Sequence, residues 1–170
     1  MCQNTCGFKK KYTNGVTIII PRHIHRSSYI KEEIENIGLK VHLHSSGGKI
    51  DNKTDIYLVD TFGETKLFIK ICNIVFLGGS LIHHGGQNPI EAARLGCKVI
   101  HGPNIDNFSE VYNLLYKNNI SSKIKTTKQA KSIIQKNLKN TFSSKKIRKK
   151  LNSIGNKVLS SNEKEIIKYI

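Results

Sequence analysis

The sequence predicts a parallel, Rossmann-like α/β sheet, on three observations. Two continuous apolar runs, Val16–Ile20 and Ile74–Leu77, are rich in β-branched residues and stop at Pro21 and at Gly78-Gly79. Runs of this kind are strands covered on both faces, as parallel sheets require. Stretches with helical spacing alternate with these and with further short strand-like runs, which is the pattern of βαβ units. Finally, the loops that follow the strands carry glycine pairs and helix-cap residues. In open α/β sheets those loops gather at the carboxyl ends of the strands, where ligands bind.

Residues 1–15 read as an irregular start. Phe8 and Tyr12 are spaced as on the last turns of a helix, and Asn14-Gly15 is a stop. After the strand Val16–Ile20, Ser27 or Ser28 caps a helix to about Ile37, with Ile30, Ile34 and Ile37 on its inner face and Gly38 as its end. Leu39–His44 alternates as a strand with one wetter face, and 45–52 is a Ser/Gly loop. Asp55–Val59 is the next strand. Asp60-Thr61 opens a helix that turns Leu67, Phe68 and Ile71 inward, and Asn73–Leu77 is the strand that feeds the glycine loops. Asn88-Pro89-Ile90-Glu91 has the form of a helix start: Asn as N-cap, Pro at the first position, Glu to close a capping box. That helix runs from Pro89 to Leu95 and ends at Gly96. Lys98–His101 is a strand, 102–104 a turn, and a helix starts at Asn107 and continues through Val111, Leu114 and Leu115. Ser122–Lys125 reads as a short edge strand. Thr126 or Thr127 caps a basic amphipathic stretch that reaches Ile170, with breaks near Ser143 and Gly155. Residues 16–125 are thus one Rossmann-like α/β domain, and 126–170 are basic carboxy-terminal helices.

Bulk composition bounds the function. At 170 residues and 38% hydrophobic content, the chain can bury a core. No apolar run approaches the ~20 residues that cross a bilayer. The opening MCQNTCGFKKKY lacks the apolar centre of a secretion signal, so a cytoplasmic location is expected. Cys2 and Cys6 form a lone C-x3-C pair without a second pair at metal spacing, and Cys72 and Cys97 read as buried thiols. The adjacent His83 and His84 point apart in an extended loop, so no metal site is expected there. The net charge of +16 suits an anionic partner, while most of the lysines are spaced as ordinary solvated helix faces. A nucleic-acid-binding role for the helices after Lys117 is the alternative of a different class. Few aromatics for stacking and no reader motif speak against it.

The residues of the glycine loops fit an anion. Gly79 offers backbone N–H groups and Ser80 a hydroxyl, while Asn88 caps the following helix and points its positive end at the same place. Arg22, at the carboxyl end of a buried strand, suits a phosphate or a carboxylate.

Four segments together resemble the 3-deoxy-D-manno-octulosonic acid (Kdo) transferases, the family that adds Kdo to lipid A precursors. These are GGSLIHHGGQNPIEAARLG from Gly78 to Gly96, GPNIDNFSE from Gly102 to Glu110, Ile18-Ile19-Ile20-Pro21-Arg22-His23, and Tyr57-Leu58-Val59-Asp60-Thr61-Phe62-Gly63-Glu64. They occur in the family's order over roughly residues 8 to 120. The resemblance implies the carboxy-terminal half of a GT-B glycosyltransferase, lacking its first strand with its Ser-Thr-His-x-Gly-Glu-like loop. It implies CMP-Kdo as donor, no cofactor and no metal. Arg22, Gly79, Ser80, Asn88 and Glu91 would bind CMP and its phosphate, with Glu91 on the ribose hydroxyls. Thr61, Phe62, Gly63 and Glu64 would lie near the cytosine, and His84, Gly85, Gly86 and Gln87 would form the donor-sugar loop. Transfer with inversion needs a general base, which in this family is an acidic residue of the amino-terminal domain. No catalytic residue is therefore expected in this chain, which would not act alone: either it is one product of a split or decaying gene or of an incomplete gene sequence, or it works with a separately encoded amino-terminal half, at the cytoplasmic face of the inner membrane. Another nucleotide-sugar GT-B transferase is the alternative within enzymes.

Overall fold

A computed structural model describes residues 15–139 and 143–168. The expectations for Phe8, Tyr12, Cys2 and Cys6 lie outside the described residues. The chain divides into two compact units, one up to Phe68 and one from Ile69.

The first unit holds a three-stranded parallel sheet. Strand β1 (Thr17–Ile19) and strand β2 (Val41–Leu43) flank β3 (Ile56–Leu58), with Thr17 and Val41 both in register with Ile56. Helix α1 (Ser27–Asn36) buries Ile34 against Leu39 and Ile56, with Ile19, Ile30 and Val41 packed around them. Helix α2 (Thr65–Ile71) begins at the unit's end.

The second unit repeats the plan. Strand β4 (Ile74–Leu77) pairs with β5 (Lys98–His101), and β5 pairs with β6 (Ser121–Lys123), all parallel. The short helix α3 (Ile90–Arg94) lies between β4 and β5, and α4 (Ser109–Lys117) between β5 and β6. The core joins Leu77, Ala92, Ala93, Val99, Tyr112, Leu115 and Ile120, together with Ile147 from the last helix. Helix α5 (Thr127–Lys139) and the 24-residue α6 (Ser144–Ile167) complete the chain.

In the second sheet one edge is polar and the other apolar: β6 is Ser-Ser-Lys, whereas β4 is Ile-Val-Phe-Leu. In the first sheet both edges are mixed, Thr-Ile-Ile in β1 and Val-His-Leu in β2. Among the described residues no strand pairs with the outer edge of β4. Apolar parallel strands normally lie inside a sheet, so this edge has the character of a position made for a further strand.

Several local expectations are corrected. No Ser caps α1: the chain already turns as a 3-10 helix over Ile24–Arg26, so Ser27 enters the helix buried, and its hydroxyl has no hydrogen-bond partner. Ile37 is not on the inner face; it follows the helix end and is exposed. The strand at 39–44 is shorter, because His44 belongs to a 3-10 turn. Asp60-Thr61 does not open α2, which starts at Thr65; the delay rotates the helix so that Ile69 is buried and Leu67 and Ile71 are exposed. In α4 the inward residues are Tyr112 and Leu115, not Leu114. Gly155 does not break α6, which runs through it. Thr126 caps α5 as expected, accepting from the Gln129 N–H at 3.3 Å.

Candidate functional site

The glycine loops of the second unit are built as a clasp. β4 ends at Leu77, and the chain turns through Gly79 at φ +72° into Ser80, which is wholly buried. The Ser80 hydroxyl donates to the Leu77 carbonyl at 2.6 Å and accepts from the Gly102 N–H at 2.8 Å. The Ser80 carbonyl in turn accepts from the Asn104 N–H at 2.9 Å and from the Asn104 side-chain amide at 3.3 Å. One residue thereby ties the loop after β4 to the loop after β5. Its hydroxyl proton is committed to the frame, which leaves the backbone of Gly78 and Gly79 as the part of this loop free to meet an anion.

The second glycine pair sits against the 102–107 loop. Gly85 and Gly86 have φ of +71° and +72°. A Cβ on Gly85 would lie 2.4 Å from the Asn107 amide nitrogen, and one on Gly86 would lie 3.1 Å from the Asn104 carbonyl. Both positions thus combine a left-handed backbone with close approach, the two reasons for which glycine is required. The Gln87 carbonyl accepts from the buried Tyr112 hydroxyl at 2.8 Å, and burial pushes that phenol up to about 12. His84 remains exposed beside Gly79.

Asn88 acts as the sequence predicts, accepting from the Ile90 N–H at 3.0 Å. Pro89 follows it and Glu91 stands in the first turn. The helix it caps has only five residues, so its dipole adds little. His101 ends β5 buried; its Nδ1 lies 2.7 Å from the Gly102 carbonyl and its ring 4.2 Å from that of Tyr112. Burial, and secondarily Lys123, lowers its pKa, so it stands neutral behind the clasp.

In the first unit, Arg22 follows β1 and is exposed. The 60–64 segment is held by a network that sequence reasoning missed. Asp60 accepts from the Ser45 N–H at 2.8 Å and the Ser45 hydroxyl at 2.5 Å. Burial works to raise its pKa, but these Ser45 hydrogen bonds outweigh it and hold the carboxyl below its ordinary value. Glu64 accepts from the Thr61 hydroxyl and lies 3.0 Å from His44 Nε2, whose Nδ1 is 2.6 Å from the Tyr57 hydroxyl. Phe62 is left 89% exposed and Gly63 takes φ +88°. Thr61 and Glu64 therefore brace each other, and Phe62 and the Gly63 backbone are the accessible groups. The register that sets His42 opposite Tyr57 on neighbouring strands is the signal that would have found the cluster. Among the described residues, no group of three His, Cys, Asp or Glu side chains is arranged to hold a metal ion.

No protein-family model matches the chain. It is 29% identical over 152 residues to a 3-deoxy-D-manno-octulosonic acid transferase of Haemophilus influenzae, a match covering 89% of this chain and 35% of the relative. A probable mitochondrial 3-deoxy-D-manno-octulosonic acid transferase of Arabidopsis thaliana is 38% identical over 104 residues, 60% of this chain and 23% of that protein. A 3-deoxy-D-manno-octulosonic acid transferase of Rickettsia prowazekii is 35% identical over 125 residues, 71% of this chain and 26% of that protein. The chain thus spans between 23% and 35% of the length of these relatives. Its fold matches a crystal structure of the C-terminal CMP-Kdo binding domain of WaaA from Acinetobacter baumannii, with a TM-score of 0.81 and 25% identity over 89% of this chain and 79% of that one. The resemblance drawn from the four motifs is borne out, and the fold is the GT-B-like α/β fold it implied.

Proposed function

We propose that this chain, a relative of the carboxy-terminal part of the Kdo transferases, binds CMP-Kdo as the donor half of a glycosyltransferase that passes Kdo to a lipid A precursor. The observation that carries the reading is the match to a CMP-Kdo binding domain over 89% of the chain. The clasped glycine loop gives it a physical basis. Departure of CMP builds negative charge on a phosphate, and backbone N–H groups held rigidly at Gly78 and Gly79 stabilise such charge without reorganising. Glu91 offers a carboxylate fork to ribose hydroxyls. His84 and the Gly85-Gly86-Gln87 segment form the sugar side. Phe62 and the Gly63 backbone are the base contacts, with Thr61 and Glu64 as their frame. Arg22 supplies a guanidinium for phosphate or for the Kdo carboxylate.

The general base is assigned to the amino-terminal domain that the resemblance implies, outside the residues of this sequence. The apolar outer edge of β4 suits a further parallel strand beside it. No step of proton abstraction is assigned to residues of this chain.

The test is thermal unfolding and calorimetric titration with CMP, with UMP as control. A ligand that binds only the native state raises the midpoint. A shift by CMP and not by UMP supports the donor reading. A cooperative transition blind to CMP overturns it. Equal shifts by both nucleotides would move the assignment to another nucleotide-sugar transferase.

A further inference from the structure

One pocket of the second unit has no part in the donor reading. It holds about 260 Å³ and lies between the carboxyl ends of β5 and β6 and one face of α4. His101 and Tyr112 form its floor, both buried, with ring centroids 4.2 Å apart. Ile105 is an apolar wall, and Asn113, Tyr116 and Lys123 are the exposed rim. Helix α4 brings Tyr112, Asn113 and Tyr116 to it because residues three and four apart share a helix face. The parallel register sets His101 directly beside Lys123, so both side chains leave the same face of the sheet. The Tyr112 hydroxyl is committed to the Gln87 carbonyl, so this residue offers only its ring. The Gly102 carbonyl can only accept, so the His101 Nδ1 2.7 Å away carries the proton and Nε2 keeps the lone pair. Among the described residues nothing hydrogen-bonds to that Nε2, to the Lys123 ammonium or to the Asn113 side-chain amide.

We propose that this pocket binds a small aromatic carboxylate. The rings of His101, Tyr112 and Tyr116, with Ile105, offer flat and apolar surfaces to a ligand ring. The Lys123 ammonium and the Asn113 amide supply donors for the anionic group. Lys123 beside a neutral imidazole amounts to one full positive charge, which matches a monoanion better than the dianion of a phosphate ester. The volume lies below the ~300 Å³ at which pockets for drug-sized ligands begin, so it suits a single ring and not a nucleotide. The nearest carboxylates in the chain, Asp106 and Glu110, are exposed and do not line the pocket. Binding draws in a proton. Burial first, with Lys123 adding to it, holds the His101 pKa below its ordinary 6.5 in the free chain. A carboxylate beside the ring favours the imidazolium and raises that pKa again. Affinity therefore rises as pH falls towards the free-chain value, and the complex takes up a proton that the free chain does not hold. The titratable groups that share the pocket with His101 are Lys123 from β6 and Tyr112 and Tyr116 from α4; the loop at 102–105 carries none.

The experiment is calorimetric titration of the full chain with benzoate, in pairs of buffers whose different ionisation heats count the protons taken up. Benzamide keeps the ring without the charge, and acetate keeps the charge without the ring. Benzoate is expected to bind more tightly than either. Its proton uptake should be absent well above pH 6.5 and appear as pH falls towards the free-chain value. Lys123→Gln should weaken benzoate binding by about tenfold, the loss of one charge-assisted hydrogen bond. Tyr116→Ala, at a residue 63% exposed, should weaken it by about threefold to tenfold through the lost ring contact. His101→Gln should bind without proton uptake. Lys117→Gln, on the same helix but outside the pocket, should bind as the unmodified chain does. Lys123 and Tyr116 are exposed, so neither substitution puts folding at stake, and the comparison of three ligands needs no variant. No binding at millimolar benzoate, or equal affinities for the three ligands, overturns the proposal. So does an affinity unchanged in Lys123→Gln or Tyr116→Ala, or a proton uptake that is missing in the unmodified chain or survives in His101→Gln. Displacement of benzoate by CMP would put it in the donor site and overturns the proposal as well. A chain that binds CMP but not benzoate refutes this inference alone. One that binds benzoate but not CMP refutes the donor reading alone.

Discussion

Gly102→Ala is the sharpest test of the clasp. Gly102 does not need a left-handed backbone, so alanine is acceptable there on conformational grounds and the penalty is steric. The added Cβ would stand 2.1 Å from the Ser80 carbonyl oxygen, 2.5 Å from its carbon and 2.7 Å from the Leu81 nitrogen. All three are backbone atoms, so no side chain can swing away, and the loops after β4 and β5 must separate. Separation strains or breaks the Gly102 N–H to Ser80 Oγ bond at 2.8 Å and the Asn104 N–H to Ser80 carbonyl bond at 2.9 Å. Each hydrogen bond is worth about 1 kcal/mol net, and overpacking adds about 1–3 kcal/mol. The sum is about 3–5 kcal/mol, or a fall in midpoint of roughly 10 °C for a chain of this size. Far-UV circular dichroism during heating measures it. Gly78→Ala is the matched control: its Cβ meets nothing within 4 Å and its φ is not left-handed. It should stay within about 0.5 kcal/mol of the unmodified chain. If the two variants unfold at the same temperature, Gly102 is not a close-approach glycine, and the clasp and the argument built on it both fail.

Two further outcomes follow from burial in the second unit. The His101 pKa is held below 6.5 in the folded chain, so as pH falls through 6.5 the unfolded state takes up the proton first. Stability is therefore complete above pH 6.5 and declines as pH falls towards and through the lowered value; in urea titrations at stepped pH, His101→Gln should flatten that decline, and an unchanged slope would show that His101 is not its source. The Cys97 thiol is pushed up to about 11, by burial first and then by Cys72, and it donates to the Ile69 and Cys72 carbonyls at 3.3 and 3.1 Å. Iodoacetamide at mildly alkaline pH should label it only after unfolding, as read by peptide mass, and rapid labelling of the native chain would contradict the packing around α3 and β5.

What was legible in the sequence was what neighbouring residues decide among themselves. Pro21 and Gly78 end their strands, Asn88 and Thr126 cap their helices, and Gly38 and Gly96 stop theirs, because each device acts over a few residues. Helix faces were less legible wherever a start or stop was displaced. The first helix keeps its inner face at Ile30 and Ile34 but stops at Asn36, which leaves Ile37 exposed, and the late start at Thr65 leaves Leu67 and Ile71 exposed. The candidate site was legible as a location but not as a mechanism. Ser80 in a glycine loop after a buried strand looks like a ligand hydroxyl. Only the partner 22 residues away, Gly102, shows that the hydroxyl is a structural tie. Glu64 likewise looks like a residue at a helix start facing a base, until His44, 20 residues earlier in the chain, is found against its carboxylate. In both cases a side chain suited to a ligand is occupied by the protein, and the proposed contact with the ligand is therefore the backbone beside it. A frame of that kind fits a site that must stabilise a departing phosphate. Donors fixed by buried side chains do not reorient when charge develops, whereas a hydroxyl free to turn towards ground state and product alike gives no such discrimination.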